Sequence, residues 1–210
     1  MSRADMDAQD RQDEFLDFPD GRLGEVIEAS TAEFMAQCYR LYDAPAIGTL
    51  VLCGEQTPTY GIVCEATTQS IDPGRAPIPR GLNANTEAQV LNNNPQIERL
   101  LHTKFRAIVV GYREGNAIRR YPPLNAPRMY SFVRECNAIE LAEFSSSHEF
   151  LSTLLNAPMN GQDHVVASFL RNASAAHADR HEYLVSAGKS LAGALSGQLP
   201  RLSGILRSLE

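Results

Sequence analysis

Between Gly21 and Thr68, apolar residues alternate with polar ones or gather in short runs set off by Gly, Pro and Asp. This spacing predicts β-strands, because successive side chains of an extended chain point to opposite faces. The segments are Arg22 to Ala29, Glu33 to Leu41, Gly48 to Cys53 and Tyr60 to Thr68. Phe34, Ala36 and Cys38 fall on one face of the second, and Ile62, Cys64 and Ala66 on one face of the fourth. Residues 72 to 103 break the pattern. Asp72-Pro73-Gly74, Pro77 and Pro79 predict an irregular lead-in, followed by short helices at Thr86 to Leu91 and Pro95 to His102. Strand signals return at Phe105 to Tyr112, whose Ala107-Ile108-Val109-Val110 centre reads as a buried strand. Glu114-Gly115-Asn116 predicts a tight turn into Ala117 to Tyr121.

Beyond Pro122-Pro123 the apolar period changes from two to about 3.6. Ser146 and Glu149 form a capping-box pattern ahead of Phe150, Leu151, Leu154 and Leu155. Pro158 to Gly161 ends that helix. Asp163 is expected to cap the next, which carries the apolar stripe Val165, Val166, Phe169, Leu170 and Ala173. A third helix bears Leu184, Ala187, Leu191 and Leu195 and stops at Gly197, and Pro200 suits the start of a last short one. All are too short to be stable alone, so they must pack on each other or on the strands.

The expected fold class is therefore α+β: a small closed antiparallel β-barrel of about six strands, followed by a C-terminal α-helical region. Closure removes the exposed edges of a small open sheet. The expected organisation is an acidic tail at 1–20, a barrel at 21–121 with a helical insertion at 72–103, and a helical domain at 122–210.

Charge adds the tail. Residues 1 to 20 hold seven acids against Arg3 and Arg11, which places -5 of the net charge of -6 in that segment. Such a head is expected to be solvated, with Phe15, Leu16 and Phe18 able to dock its end onto the barrel. No run approaches the roughly 20 apolar residues of a membrane helix, and the acidic start is unlike a secretory signal, so a cytoplasmic location is expected. The four cysteines, Cys38, Cys53, Cys64 and Cys136, have no metal-ligand spacing and read as buried free thiols.

Candidate chemistry is sparse. Gly188-Lys189-Ser190 ends like a phosphate loop, but Tyr183 stands where its first glycine belongs and the tripeptide lies in a helical pattern, so no nucleotide is expected. His177 and His181 are four apart, yet Asp179 and Glu182 predict a helix start between them, so no metal site is expected. His102, His148 and His164 are isolated, and no serine or cysteine sits in a nucleophile elbow. Catalytic residues and cofactors are accordingly expected to be absent. The one surface signal is Tyr112 to Tyr130. There Arg113, Arg119, Arg120 and Arg128 are interleaved with Tyr112, Tyr121 and Tyr130, a composition suited to phosphates and stacked bases. The bland counterpart is a solvated hairpin whose arginines pair with the acidic tail or a neighbouring helix.

The strand segments also carry a resemblance. Gly21-Arg22-Leu23-Gly24-Glu25-Val26-Ile27-Glu28-Ala29-Ser30, then Glu33-Phe34, then Pro45-Ala46-Ile47-Gly48-Thr49-Leu50-Val51, then Tyr60-Gly61-Ile62-Val63 resemble the HAS-barrel over about residues 20 to 120. That domain stands at the front of HerA-type DNA-translocating ATPases and of rotary ATP synthase catalytic subunits. The resemblance implies a barrel that helps hold an assembly together and contributes no catalytic residue. Where the ATPase core would follow, this chain has about ninety residues with neither phosphate loop nor Walker B aspartate. The expected function is thus a non-catalytic interaction or assembly module, associating with itself or with a HerA-like ATPase. The alternative is a nucleic-acid-binding barrel that uses the four arginines.

Overall fold

A computed structural model describes residues 20–74 and 76–209. The acidic segment before Asp20, including Phe15, Leu16 and Phe18, lies outside the described residues. Seven strands form one antiparallel sheet: β1 (Arg22–Ala29), β2 (Glu33–Cys38), β3 (Leu50–Cys53), β4 (Thr59–Ser70), β5 (Leu101–Glu114), β6 (Ala117–Arg119) and β7 (Phe132–Glu135). Their order is β2-β1-β7-β3-β4-β5-β6, and β2 also pairs with β5, Glu33 opposite Ile108 through Gln37 opposite Lys104. Register shifts in β1 and β4 mark bulges, which bend a strand and sharpen its twist.

Six α-helices and one 3-10 turn complete the described residues. The insertion holds α1 (Glu87–Asn93) and a 3-10 turn at Pro95–Leu100, close to the expected bounds. None of the described residues from 71 to 100 is buried. After the sheet come α2 (Ala138–Ser145), α3 (Phe150–Asn156), α4 (Gln162–Ser174), α5 (Arg180–Ala194) and α6 (Leu199–Arg207).

Two apolar clusters share the central strands. Val26, Phe34, Ala36, Val51, Val63 and Phe105 belong to one, on a single side of the sheet. Leu50, Tyr60, Ile62, Ile108 and Val110 belong to the other, where Phe144, Leu151, Leu154, Phe169 and Leu191 of the helices cover the opposite side. β3, the first half of β4 and the middle of β5 are therefore buried on both faces, which is why they read as apolar runs and not as alternating ones. Ala66 departs from its expected partners Ile62 and Cys64: it is exposed, and the register shift between Val63 and Glu65 sets it opposite Phe105, on the other face of the strand.

Several local expectations need correction. The sheet does not end at residue 121, since β7 inserts between β1 and β3 from within the segment read as helical. Four residues with one buried side chain are too short to display a period. The capping box sits at Asn137 and Glu140, not at Ser146 and Glu149. Ser146 instead donates to the Glu143 carbonyl and accepts from Arg120, so Glu149 precedes α3 without a side-chain cap. Asp163 does not cap α4 either. Gly161, at φ +65, makes that turn, and the Asp163 carboxylate accepts from Arg201 at 2.7 Å, tying α6 to α4.

Gly48 sets how closely the helical layer approaches the strands. Its φ is +85, and an added Cβ would lie 2.6 Å from the Phe169 nitrogen and 2.7 Å from the Ser168 Cβ on α4. Gly48→Ala combines backbone strain with a clash against α4 and is expected to cost roughly 2–4 kcal/mol. Gly115→Ala, at φ +58 with open space around it, meets the strain alone and is expected to cost about 1–2 kcal/mol. Urea unfolding of the two variants beside the parent chain measures the difference.

Candidate functional site

The four arginines singled out by composition do not act as one surface. Arg113, on β5, donates to Glu143 Oε2 on α2 at 2.7 Å and to the Tyr60 hydroxyl at 3.0 Å. Arg119, on β6, pairs across the hairpin with Glu114 at 3.0 Å. Arg120 donates to the carbonyls of Phe144 at 2.6 Å and Glu143 at 2.8 Å and to the Ser146 hydroxyl at 3.0 Å. A helix leaves its last carbonyls without intrahelical donors, and the Arg120 guanidinium fills that need at the end of α2. Arg113 and Arg120 thus fasten α2 to the β5–β6 hairpin, as Arg134 fastens its other end through a two-pronged pair with Glu140 at 2.7 and 2.6 Å. That pair holds the Glu140 carboxyl below the usual carboxylate range.

Arg128 is different. It is exposed, and no side-chain partner engages it among the described residues. It lines a cleft of about 650 Å³ between the β3–β4 turn and the connection from β6 to β7. Leu124, Met129, Tyr130 and Phe132 line the same cleft. Leu124 is 95% exposed and Tyr130 72%. Tyr112 and Tyr121 meet edge to face beside it, ring centroids 5.8 Å apart. The guanidinium of Arg22 lies 3.8 Å over the Phe132 ring.

The loop that presents these side chains is held by its backbone. Tyr130 has φ +63, an uncommon conformation for a bulky residue. Backbone bonds on both sides keep it there: Tyr130 N–H donates to Val26 O at 2.9 Å, and Val26 N–H donates to Ser131 O at 3.0 Å. Ser131 N–H closes the turn onto Arg128 O at 3.2 Å. Arg128, Met129 and Tyr130 therefore project from a turn whose shape does not depend on them. Sequence reasoning flagged Arg128 and Tyr130 through composition, but missed Leu124 and Met129. Their signal was two large apolar residues in a Pro- and Asn-rich loop with no period to place them in a core.

The remaining candidates fall elsewhere. Gly188-Lys189-Ser190 lies inside α5, and Asp179 caps that helix by accepting from Glu182 N–H at 2.8 Å, so the helix start separates His177 from His181. No group of three His, Cys, Asp or Glu able to hold a metal occurs among the described residues. The four cysteines are free thiols, and burial pushes Cys53 and Cys136 up to about 12. No helix among the described residues is long and apolar enough to cross a membrane. No family model matches the chain, and no curated protein matches it.

The two kinds of arginine predict different mutational costs. Arg120→Ala leaves the α2 carbonyls without their donor and is expected to lower stability by about 1–2 kcal/mol. Arg128→Ala removes no bond and is expected to change it by less than about 0.5 kcal/mol. Equilibrium unfolding in urea checks both.

Proposed function

We propose that this chain is a non-catalytic interaction and assembly module of the HAS-barrel type, which associates with itself or with a HerA-like DNA-translocating ATPase. The proposed closed barrel is supported by the strand pairing: β1, β2, β3, β4 and β7 each have two hydrogen-bonded neighbours, β5 has three, and the β2–β5 ladder joins the two ends of that six-strand series. Of the bands that suggested the resemblance, the first, second and fourth fall on β1, β2 and β4, and the third covers the loop leading into β3 and its first two residues, Leu50 and Val51.

The observation that carries the assembly reading is the exposed Arg128-Met129-Tyr130 turn with Leu124 beside it. Apolar side chains held out of a core by a fixed backbone are a favourable surface to bury against a partner, since little ordering entropy remains to be lost. Arg, Met and Tyr are also the residue types enriched at the centres of protein interfaces. A second apolar surface lies on the insertion, where Ile78 and Leu82 are exposed. A cytoplasmic location is part of the proposal, and the four free thiols support a reducing compartment.

Light scattering coupled to size exclusion tests this on the purified full chain, alone and mixed with a purified HerA-type ATPase. The expected result is a mass above that of the 23.1 kDa monomer in at least one of the two samples. Tyr130→Glu is expected to weaken the association about tenfold or more. A monomer in both samples removes the proposal. Anisotropy titration with single-stranded and duplex DNA weighs the nucleic-acid alternative, in which Arg113, Arg119 and Arg120 already have partners in their own chain. Little or no binding is expected; binding that weakens steeply with salt would favour that alternative instead.

A further inference from the structure

Away from the cleft, four polar side chains meet inside the helical layer. Ser145, the last residue of α2, is fully buried; its Oγ donates to the Leu141 carbonyl at 2.6 Å and lies 2.8 Å from His177 Nε2. With the hydroxyl hydrogen directed at Leu141, the histidine nitrogen is assigned as the donor, so the neutral ring carries its hydrogen on Nε2. His177, in the α4–α5 connection, stacks on Tyr183 of α5 with centroids 4.2 Å apart and planes at 16°. His148, in the α2–α3 connection, has its ring 5.3 Å from Tyr183 and 6.4 Å from Phe150. One small cluster thus joins α2, α3, α5 and both connections.

The cluster is incompletely bonded. His148 Nε2 and the Tyr183 hydroxyl are both buried without a hydrogen-bond partner. Buried polar atoms are almost always paired, so two orphans in contact rings mark a place where the packing is poised and not optimised. The charges around it offer a cation no help. His148 faces His177 and the Arg120 guanidinium, both unfavourable to a second positive charge. Among acids near in sequence, Glu143 is engaged by Arg113 and Asp179 by the start of α5, while Glu149 and Glu182 are exposed.

We infer that His148, His177, Tyr183 and Ser145 form an acid-sensitive latch, in which protonation of the two histidines below neutral pH releases α5 and the α2–α3 connection while the sheet stays folded. Protonating His148 places a new N–H where no acceptor lies, beside a ring that is already a donor. Burial holds both imidazoles below their ordinary value of about 6.5, and for His148 the neighbouring His177 and Arg120 act in the same direction. A histidine lowered in the folded state binds fewer protons folded than unfolded. Its contribution to stability is therefore whole above the ordinary value and is lost as pH falls from there toward the lower folded value.

Hydrogen exchange of the full chain at about pH 7.5 and about pH 5.5, corrected for intrinsic exchange, reads the latch directly. The expected result is that protection along α5 falls about tenfold further than protection in β4 and β5. In the His148→Phe, His177→Gln double variant this difference is expected to vanish. His102 also has a buried, unpartnered Nε2, but it lies on β5, so His102→Gln is expected to leave the α5 difference intact. Should the double variant fail to fold, the parent chain still decides. Equal loss in sheet and helices, no loss at all, or a difference abolished by His102→Gln would each overturn the latch.

Discussion

Strands β3, β4 and β5 are apolar on both faces, and the rest of the structure follows from covering them twice. Val51, Val63 and Val109 face the strands β1, β2 and β7, while Leu52, Ile62 and Ile108 face the helices. Neither cover suffices alone. The helices are individually short and gain their stability from the apolar strip they lie on, and the strands on that strip would otherwise expose large side chains to water. The sheet and the helical layer are thus mutual requirements, and their side chains meet in one of the two apolar clusters.

That double burial also explains what the sequence made legible. A strand covered on both faces leaves an unbroken apolar run, and Ala107-Ile108-Val109-Val110 announced one. The i, i+4 stripe of α4 and the Gly115 turn were equally plain, because a period or a glycine at positive φ leaves a local signature. β7 left none. It spans four residues, buries one of them and owes its place to β1 and β3, which lie far away in sequence. The caps at Ser146 and Asp163 failed for the opposite reason: the local pattern was present, but tertiary partners, Arg120 and Arg201, took the side chains first.

The arginines show how composition alone misjudges a surface. Four guanidinium groups with interleaved tyrosines look like a phosphate-binding strip when read along the chain. In three dimensions the hairpin lies against α2, whose C-terminal carbonyls and Glu143 carboxylate need donors. Arg113 and Arg120 meet that need, and Arg119 closes on Glu114 in its own hairpin. A helix end carries partial negative charge whether or not it is visible in the sequence, so a nearby arginine is drawn to it before any outside ligand.

What remains is a separation of duties between backbone and side chains around the cleft. The turn bearing Arg128, Met129 and Tyr130 is fixed by bonds from Val26 and within the turn itself, all of them backbone to backbone. Its side chains contribute nothing to that fixation, so they are free to vary without loosening the sheet. A surface with this property can change what it binds while the fold is held constant, which is the arrangement that lets one scaffold serve different partners. The helical layer has the opposite property. There Ser145, His177 and Tyr183 bind α2 to α5 through the side chains themselves, and any change in their charge state is felt at once in the packing.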